Sequence, residues 1–232
     1  AGACSVTGNI IRNLTTASAT SNTGVTYPLM GISYATTTGP AIISGNRIYA
    51  LTLTHAAITS ATALTGIYYT GPTGSTNSID NNLITSLSAT SSDTSLTVIK
   101  AIELAGGNAT IKNNMIRLGI DENGNALPKA MQLHGINESA GVNNICYNSV
   151  YIGGNASNGA NNTYGFSTSL TSAARDIKNN IFANVRTNTL GSAYHYAIKL
   201  NSASGTSINA NDYWTGTAFL AQNNTTNITS LG

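Results

Sequence analysis

One six-residue phrase returns seven times along this chain: an apolar residue, two variable ones, an asparagine, another variable residue, and a second apolar one. It reads Val6-Thr7-Gly8-Asn9-Ile10-Ile11 and Ile43-Ser44-Gly45-Asn46-Arg47-Ile48, then recurs over Ile79–Ile84, Ile111–Ile116, Ile145–Val150, Ile177–Phe182 and Ile208–Tyr213. Its asparagines stand 37, 36, 32, 34, 32 and 31 residues apart. A period in this range marks units that cannot bury their apolar faces alone and must stack on one another.

A second anchor falls between successive asparagines, a small residue followed by an apolar one: Gly31-Ile32, Gly66-Ile67, Ala101-Ile102, Gly135-Ile136, Gly165-Phe166 and Ala197-Ile198. From an anchor to the next asparagine is 13 to 16 residues, and from an asparagine to the next anchor 17 to 22. One half of each repeat is nearly fixed, so insertions gather on one side, as loops do on a solenoid. The segments are strand-like, with short Ile-rich runs that end in Gly, Asn or Ser. Thr38-Gly39-Pro40 and Ala105-Gly106-Gly107-Asn108 are turn chemistry. No stretch holds a helical period with caps. Strands in every repeat at this period predict an all-β chain: one parallel β-helix of about seven coils over 1–217, with 218–232 as a C-terminal tail that either covers an end or reaches a neighbouring subunit.

Two apolar columns follow from the register, residues 6, 43, 79, 111, 145, 177 and 208 on one and 11, 48, 84, 116, 150, 182 and 213 on the other. The asparagine between them sits at a bend, where its amide can bond the equivalent amides above and below. Asparagine also tolerates left-handed backbone better than most residues, so the bend conformation is expected there.

Composition narrows the function classes. Only 8% of the 232 residues are charged, against about a quarter in ordinary domains. With 41% hydrophobic residues at fixed places the chain should fold. A net charge of +2 without a basic run gives no nucleic-acid site. No apolar stretch is long enough to span a membrane. Solubility at so little charge would rest on hydroxyls and amides, which suits a secreted surface material. Cys4 and Cys146 lie four repeats apart, roughly 19 Å at strand spacing, too far for an internal bridge. Unpaired thiols and a bridge between subunits remain the two readings.

The phrases Ile177-Lys178-Asn179-Asn180-Ile181-Phe182, Asn148-Ser149-Val150-Tyr151-Ile152-Gly153 and Asn161-Asn162-Thr163-Tyr164-Gly165-Phe166 resemble the Asn-rich right-handed β-helix repeats of secreted bacterial surface proteins. The resemblance implies a right-handed coil and an extracellular, bacterial setting.

Many β-helices cleave polysaccharides, and glycoside hydrolysis needs two carboxyl groups about 5 to 9.5 Å apart. The eight available are Asp80, Asp93, Glu103, Asp121, Glu122, Glu138, Asp176 and Asp212. The paired Asp, Gly-His-Gly and Arg-Ile-Lys cluster of polygalacturonase-like β-helices is absent. Asp80, Lys112, Cys146 and Lys178 share one outward column, in which Asp80 and Lys112 are expected to form a surface ion pair. Glu103 and Glu138 differ in register by one residue and should not converge. Asp121-Glu122-Asn123-Gly124-Asn125 lacks the ligand spacing of an EF-hand and reads as a polar turn. His55, His134 and His195 have no partners at metal-ligand spacing. Of eleven tyrosines, Tyr34, Tyr68 and Tyr69 form a candidate sugar-stacking patch, with cross-strand packing as the plainer reading. Thr-x-Thr, as in Leu51-Thr52-Leu53-Thr54, does not recur in register, which argues against an ice-binding face. Sequons begin at Asn13, Asn108, Asn137, Asn155, Asn161, Asn223, Asn224 and Asn227, and matter only where the source glycosylates.

No catalytic, cofactor or metal residue is nominated. The repeat starts at Val6 without a capping helix, and open solenoid ends recruit other chains. The expectation is a non-catalytic extracellular structural rod, stacked head-to-tail with itself or cut from a longer surface adhesin, without nucleic acid, cofactor or membrane insertion. A carbohydrate-binding or polysaccharide-cleaving β-helix, with a surface glycan as partner, is the alternative.

Overall fold

The computed structural model describes residues 4–17, 28–37, 39–54, 62–74, 76–90, 96–157, 159–172 and 174–230. Each repeat phrase forms two short strands that meet at its asparagine, and the small–apolar anchor lies in a third. Chain order runs β1 (Cys4–Thr7), β2 (Ile10–Thr16), β3 (Leu29–Ala35), then β4 (Ala41–Ser44), β5 (Arg47–Leu53), β6 (Thr62–Thr70). Next come β7 (Ser78–Asp80), β8 (Leu83–Ala89), β9 (Thr97–Gly106), β10 (Thr110–Lys112), β11 (Met115–Leu118) and β12 (Gln132–Glu138). They are followed by β13 (Asn144–Cys146), β14 (Ser149–Ile152), β15 (Asn155–Ala156) and β16 (Thr163–Thr168). After β17 (Arg175–Lys178), β18 (Ile181–Asn184), β19 (Thr187–Asn188) and β20 (His195–Leu200) come the last four strands. These are β21 (Thr206–Asn209), β22 (Asp212–Thr215), β23 (Ala221–Asn223) and β24 (Thr226–Ile228).

Three large sheets take up every strand but β15 and β19, which pair with each other. Sheet A is β1-β4-β7-β10-β13-β17-β21, and sheet B is β2-β5-β8-β11-β14-β18-β22. Sheet C runs from β3 through β6, β9, β12, β16, β20 and β23 to β24. Every pairing is parallel except β23 with β24. This is the parallel β-solenoid that the period predicts, all-β among the described residues. The coil count differs slightly from seven: five turns, at Asn46, Asn82, Asn114, Asn148 and Asn180, are closed on both sides, between a half-covered coil at Asn9 and another at Asn211.

Both predicted columns are in register. Val6, Ile43, Ile79, Ile111, Ile145, Ile177 and Ile208 pair in sheet A. Ile11, Ile48, Ile84, Ile116, Val150, Phe182 and Tyr213 pair in sheet B. The anchors Ile32, Ile67, Ile102, Ile136, Phe166 and Ile198 form the third column and end on Ala221. The three columns meet as one core, where each fully buried Ile contributes about 1.5–3 kcal/mol. The small residue of the anchor has a steric cause. A Cβ on Gly66 would stand 2.9 Å from Ile84 Cγ2, and one on Gly135 2.3 Å from Val150 Cγ1. Sheet C approaches the sheet B column closely at these glycines, while Ala101 and Ala197 keep a buried methyl at the same position.

The asparagine corner is a continuous ladder. Asn9 Nδ2 donates to Asn46 Oδ1 at 2.9 Å, and the same bond repeats at 2.9, 2.9, 2.9, 3.0 and 2.8 Å down to Asn211. Each Oδ1 also accepts the backbone N–H of the preceding asparagine. The left-handed residue is not the ladder asparagine, as expected from sequence, but the one before it. Gly8, Gly45, Asn81, Asn113, Tyr147, Asn179 and Ala210 have φ between 52° and 68°. The turn needs that conformation one position earlier, and the ladder residue's amide runs along the stack.

Sequence reading missed a second polar corner at the start of sheet A. Cys4, Ala41, Asn77, Ala109, Asn143, Arg175 and Thr206 follow one another there. Asn77 Oδ1 accepts from Ala41 N–H at 2.8 Å and Asn143 Oδ1 from Ala109 N–H at 2.9 Å. The signal was an asparagine two residues before Ile79 and again before Ile145. At the far end, β23 prolongs sheet C and β24 folds back on it, with Leu220 and Ile228 against the core.

Candidate functional site

The outer face of sheet C gathers most of the chemistry. The register of β6, β9, β12, β16 and β20, which skips the small anchor residue, aligns Thr65, Lys100, His134, Tyr164 and Tyr196 in one outward column. Tyr68, Glu103, Asn137, Ser167 and Lys199 form the next. Lys100 pairs with Glu103 at 2.7 Å. Asn137 Nδ2 donates to Glu103 Oε2 at 2.7 Å, and Ser139 Oγ to Oε1 at 2.8 Å. Ser167 Oγ donates to Asn137 Oδ1 at 2.7 Å and lies 2.6 Å from His134 Nδ1. Tyr164 stacks on Tyr196 with centroids 5.7 Å apart, and the Lys199 ammonium lies 5.2 Å from the Tyr164 centroid. A groove of about 220 Å³ opens here between His134, Asn137, Tyr164, Ser167, Lys199 and Asn201.

The hydrogen bonds determine the His134 tautomer. A carboxylate only accepts, so Glu103 orients the Asn137 amide and turns its Oδ1 to Ser167. The single Ser167 proton is spent there, so His134 Nδ1 carries the proton of the 2.6 Å contact. Nε2 is then a bare acceptor, with no hydrogen bond among the described residues. Burial, with Lys100 and Lys199 adding to it, pulls the His134 pKa from 6.5 to about 3. The ring therefore stays neutral at neutral pH. Because the Ser167 proton points at an amide, the pair is not a nucleophile activated by a base.

Inside the coil, other polar groups pair with one another or with backbone carbonyls. Glu138 and Arg175 form a fully buried pair at 2.8 Å, with Asn143 donating to Glu138 at 3.0 Å. Burial pushes the Glu138 carboxyl up despite the guanidinium. His195 Nδ1 meets Thr163 Oγ1 at 2.8 Å, and burial with the nearby Arg186 charge lowers its pKa to about 4. Arg186 donates to Gly153, Leu127 and Lys129 carbonyls at 3.1, 2.9 and 3.0 Å, so it clamps the excursion between β11 and β12 onto the solenoid. Burial draws its pKa down to about 10.

The residues singled out in sequence are dispersed. Asp80, Lys112, Cys146 and Lys178 do form one column of sheet A. The expected Asp80–Lys112 ion pair is absent among the described residues: Asp80 takes hydrogen bonds from Ser44 and Asn81. Lys178 pairs instead with Asp176 at 3.0 Å, both half-exposed. Glu103 faces out and Glu138 in, so the two carboxylates do not converge. Asp121 caps its own turn through the N–H groups of Asn125 and Asn123 at 2.8 and 2.9 Å, which holds its pKa below the usual range. Tyr34 and Tyr69 stack in the interior with centroids 5.8 Å apart, while Tyr68 lies on the outer face beside Glu103. Cross-strand packing is thus the fate of two of the three. Among the described residues the Thr52 hydroxyl meets that of Ser88 on the next coil at 3.0 Å. Cys4 is a free exposed thiol and Cys146 a free buried one. His55 lies outside the described residues.

Among the described residues no cluster of three His, Cys, Asp or Glu could hold a metal, and no helix is long and apolar enough to cross a membrane. Comparison with protein-family models, curated proteins and solved structures finds no match.

Proposed function

We propose that this chain is a non-catalytic structural rod of an extracellular surface, continued head-to-tail into a filament or along a longer surface adhesin. The supporting observation is the direction of the asparagine ladder. In all six rungs the earlier coil donates and the later coil accepts. Among the described residues Asn9 Oδ1 accepts nothing, and Asn211 gives one bond, Nδ2 to Ile177 O at 2.7 Å, while its backbone N–H gives none. One end therefore offers an acceptor and the other offers donors. Complementary unlike ends make a heterologous contact, the kind that propagates instead of closing. Sheets A and B end on the open parallel edges of β21 and β22, whereas β24 reverses sheet C. A further coil, from a second copy or from adjoining sequence, would continue through A and B.

The scarcity of charge and the hydroxyl- and amide-rich surface support the extracellular placement. So does the likeness of the coils to Asn-rich repeats of secreted bacterial surface proteins. Negative-stain electron microscopy over a concentration series tests the proposal. Rods of constant width that lengthen with concentration are expected. Rods of one length throughout would contradict stacking, and polysaccharide breakdown abolished by Asp80→Asn or Lys112→Met would contradict a non-catalytic role.

A further inference from the structure

We propose that the groove on the outer face of sheet C binds one carboxylate-bearing sugar unit of a glycan, its carboxylate on Lys199 and its hydroxyls on His134 and Asn201. Three observations narrow the ligand. First, about 220 Å³ is below the usual range for drug-sized ligands. That is room for a single sugar ring in the groove.

Second, the charge is unbalanced. The carboxylate on this face, Glu103, is held by Lys100, Asn137 and Ser139. Lys199 forms no salt bridge among the described residues, and its ammonium rests over the Tyr164 ring at the groove. A cation held in place without a counter-ion favours an anionic ligand, and a hydrogen-bonded ammonium–carboxylate contact is the strong kind.

Third, the floor wants a donor. His134 presents a bare Nε2, since its Nδ1–H is committed to Ser167. A simple carboxylate ion has only acceptors and leaves that nitrogen unmet. A sugar acid brings both groups on one ring: a carboxylate for Lys199, and hydroxyls that donate to His134 and accept from the second Asn201 Nδ2–H, the first being given to Ser169 O at 3.0 Å. The chain Glu103–Asn137–Ser167–His134 holds the ring nitrogen in place before any ligand arrives, which lowers the ordering cost of binding. The proposal does not depend on end-to-end stacking.

Isothermal titration calorimetry, with the His134 ring nitrogens followed by NMR, tests this on the whole chain. The probes are glucuronate, galacturonate, methyl glucoside and acetate. At least one hexuronate should bind and move the Nε2 resonance, while the neutral sugar and acetate bind more weakly. Lys199→Met keeps the alkyl stem over Tyr164 and should weaken hexuronate binding about tenfold or more, the usual size of a charged hydrogen bond. Its circular dichroism melt should match the parent. Asn201→Ala gives a second variant should Lys199→Met fail to fold, with a smaller loss expected. Neither hexuronate binding, or binding that survives both substitutions, overturns the proposal. Acetate equal to the hexuronates overturns the sugar part and leaves a plain anion pocket.

Discussion

Asn114 shows what one residue does in this fold. Its Oδ1 accepts from Asn82 N–H and Nδ2–H, and its Nδ2 donates to Ile79 O and Asn148 Oδ1. Truncation leaves several of these buried groups unmet, each costing about 1–3 kcal/mol. Asn114→Ala is therefore expected to lose about 3 kcal/mol or more in urea unfolding, while Asn9→Ala, at the exposed end, loses much less. The residue before the ladder works by backbone alone. Ala210 holds a φ of 52°, a region that costs an ordinary residue about 1–2 kcal/mol. Ala210→Asn, which copies Asn179 one coil away, should raise the melting temperature, with a gain of up to about 1 kcal/mol; a fall would contradict this account of the corner. The ladder residues were legible in sequence because their spacing repeats. The left-handed position was not, because Gly, Asn, Tyr and Ala all occupy it and no residue type announces it.

At the scale of strands and corners, regular columns carry polar substitutions where the coil changes shape. Glu138 occupies the inward column that holds Tyr34, Tyr69 and Leu104 in earlier coils. Arg175 follows Asn143 at the sheet A corner and meets it there. Removing one partner strands a buried charge, so Arg175→Met should cost about 3–5 kcal/mol. The double variant Glu138→Leu with Arg175→Met should recover most of that loss, as a double-mutant cycle would report. Additive losses would show that the pair is not coupled. The sheet C groove was half legible: Glu103 and Glu138 were correctly kept apart, yet His134 was read without partners and neither Ser167 nor Lys199 was singled out. They lie 33 and 32 residues apart in sequence, close to one coil each, and only the pairing of β12, β16 and β20 brings them together. The anchor spacing, 17 to 22 residues after each asparagine, varied too much to extend columns through sheet C by counting.

For the whole molecule, few charges mean that its pH response comes from buried groups. His134 and His195 have folded pKa values of about 3 and about 4 against an ordinary 6.5. Below pH 6.5 the unfolded chain takes up protons that the folded chain refuses. Stability is therefore full above pH 6.5 and falls as the pH drops toward 4 and then 3. Between pH 6.5 and 5 each histidine should account for about 2 kcal/mol, and His134→Gln should remove about half of the slope in urea melts. A flat profile in both proteins would mean that the rings are not buried neutral.

Asymmetry between the ends is the central claim about the whole molecule, and sedimentation velocity over a concentration series, comparing the native chain with Ser5→Pro, tests it most directly. Cys4 and Gly8 donate their N–H groups inward to the next coil at 3.1 and 3.0 Å. By strand alternation Ser5 turns its N–H to the open edge of β1, so proline there blocks that edge and spares the fold. The account predicts that the native chain sediments faster as concentration rises, that Ser5→Pro remains a single small species, and that both melt alike. Concentration-independent sedimentation of the native chain, or undiminished growth of Ser5→Pro, would contradict it.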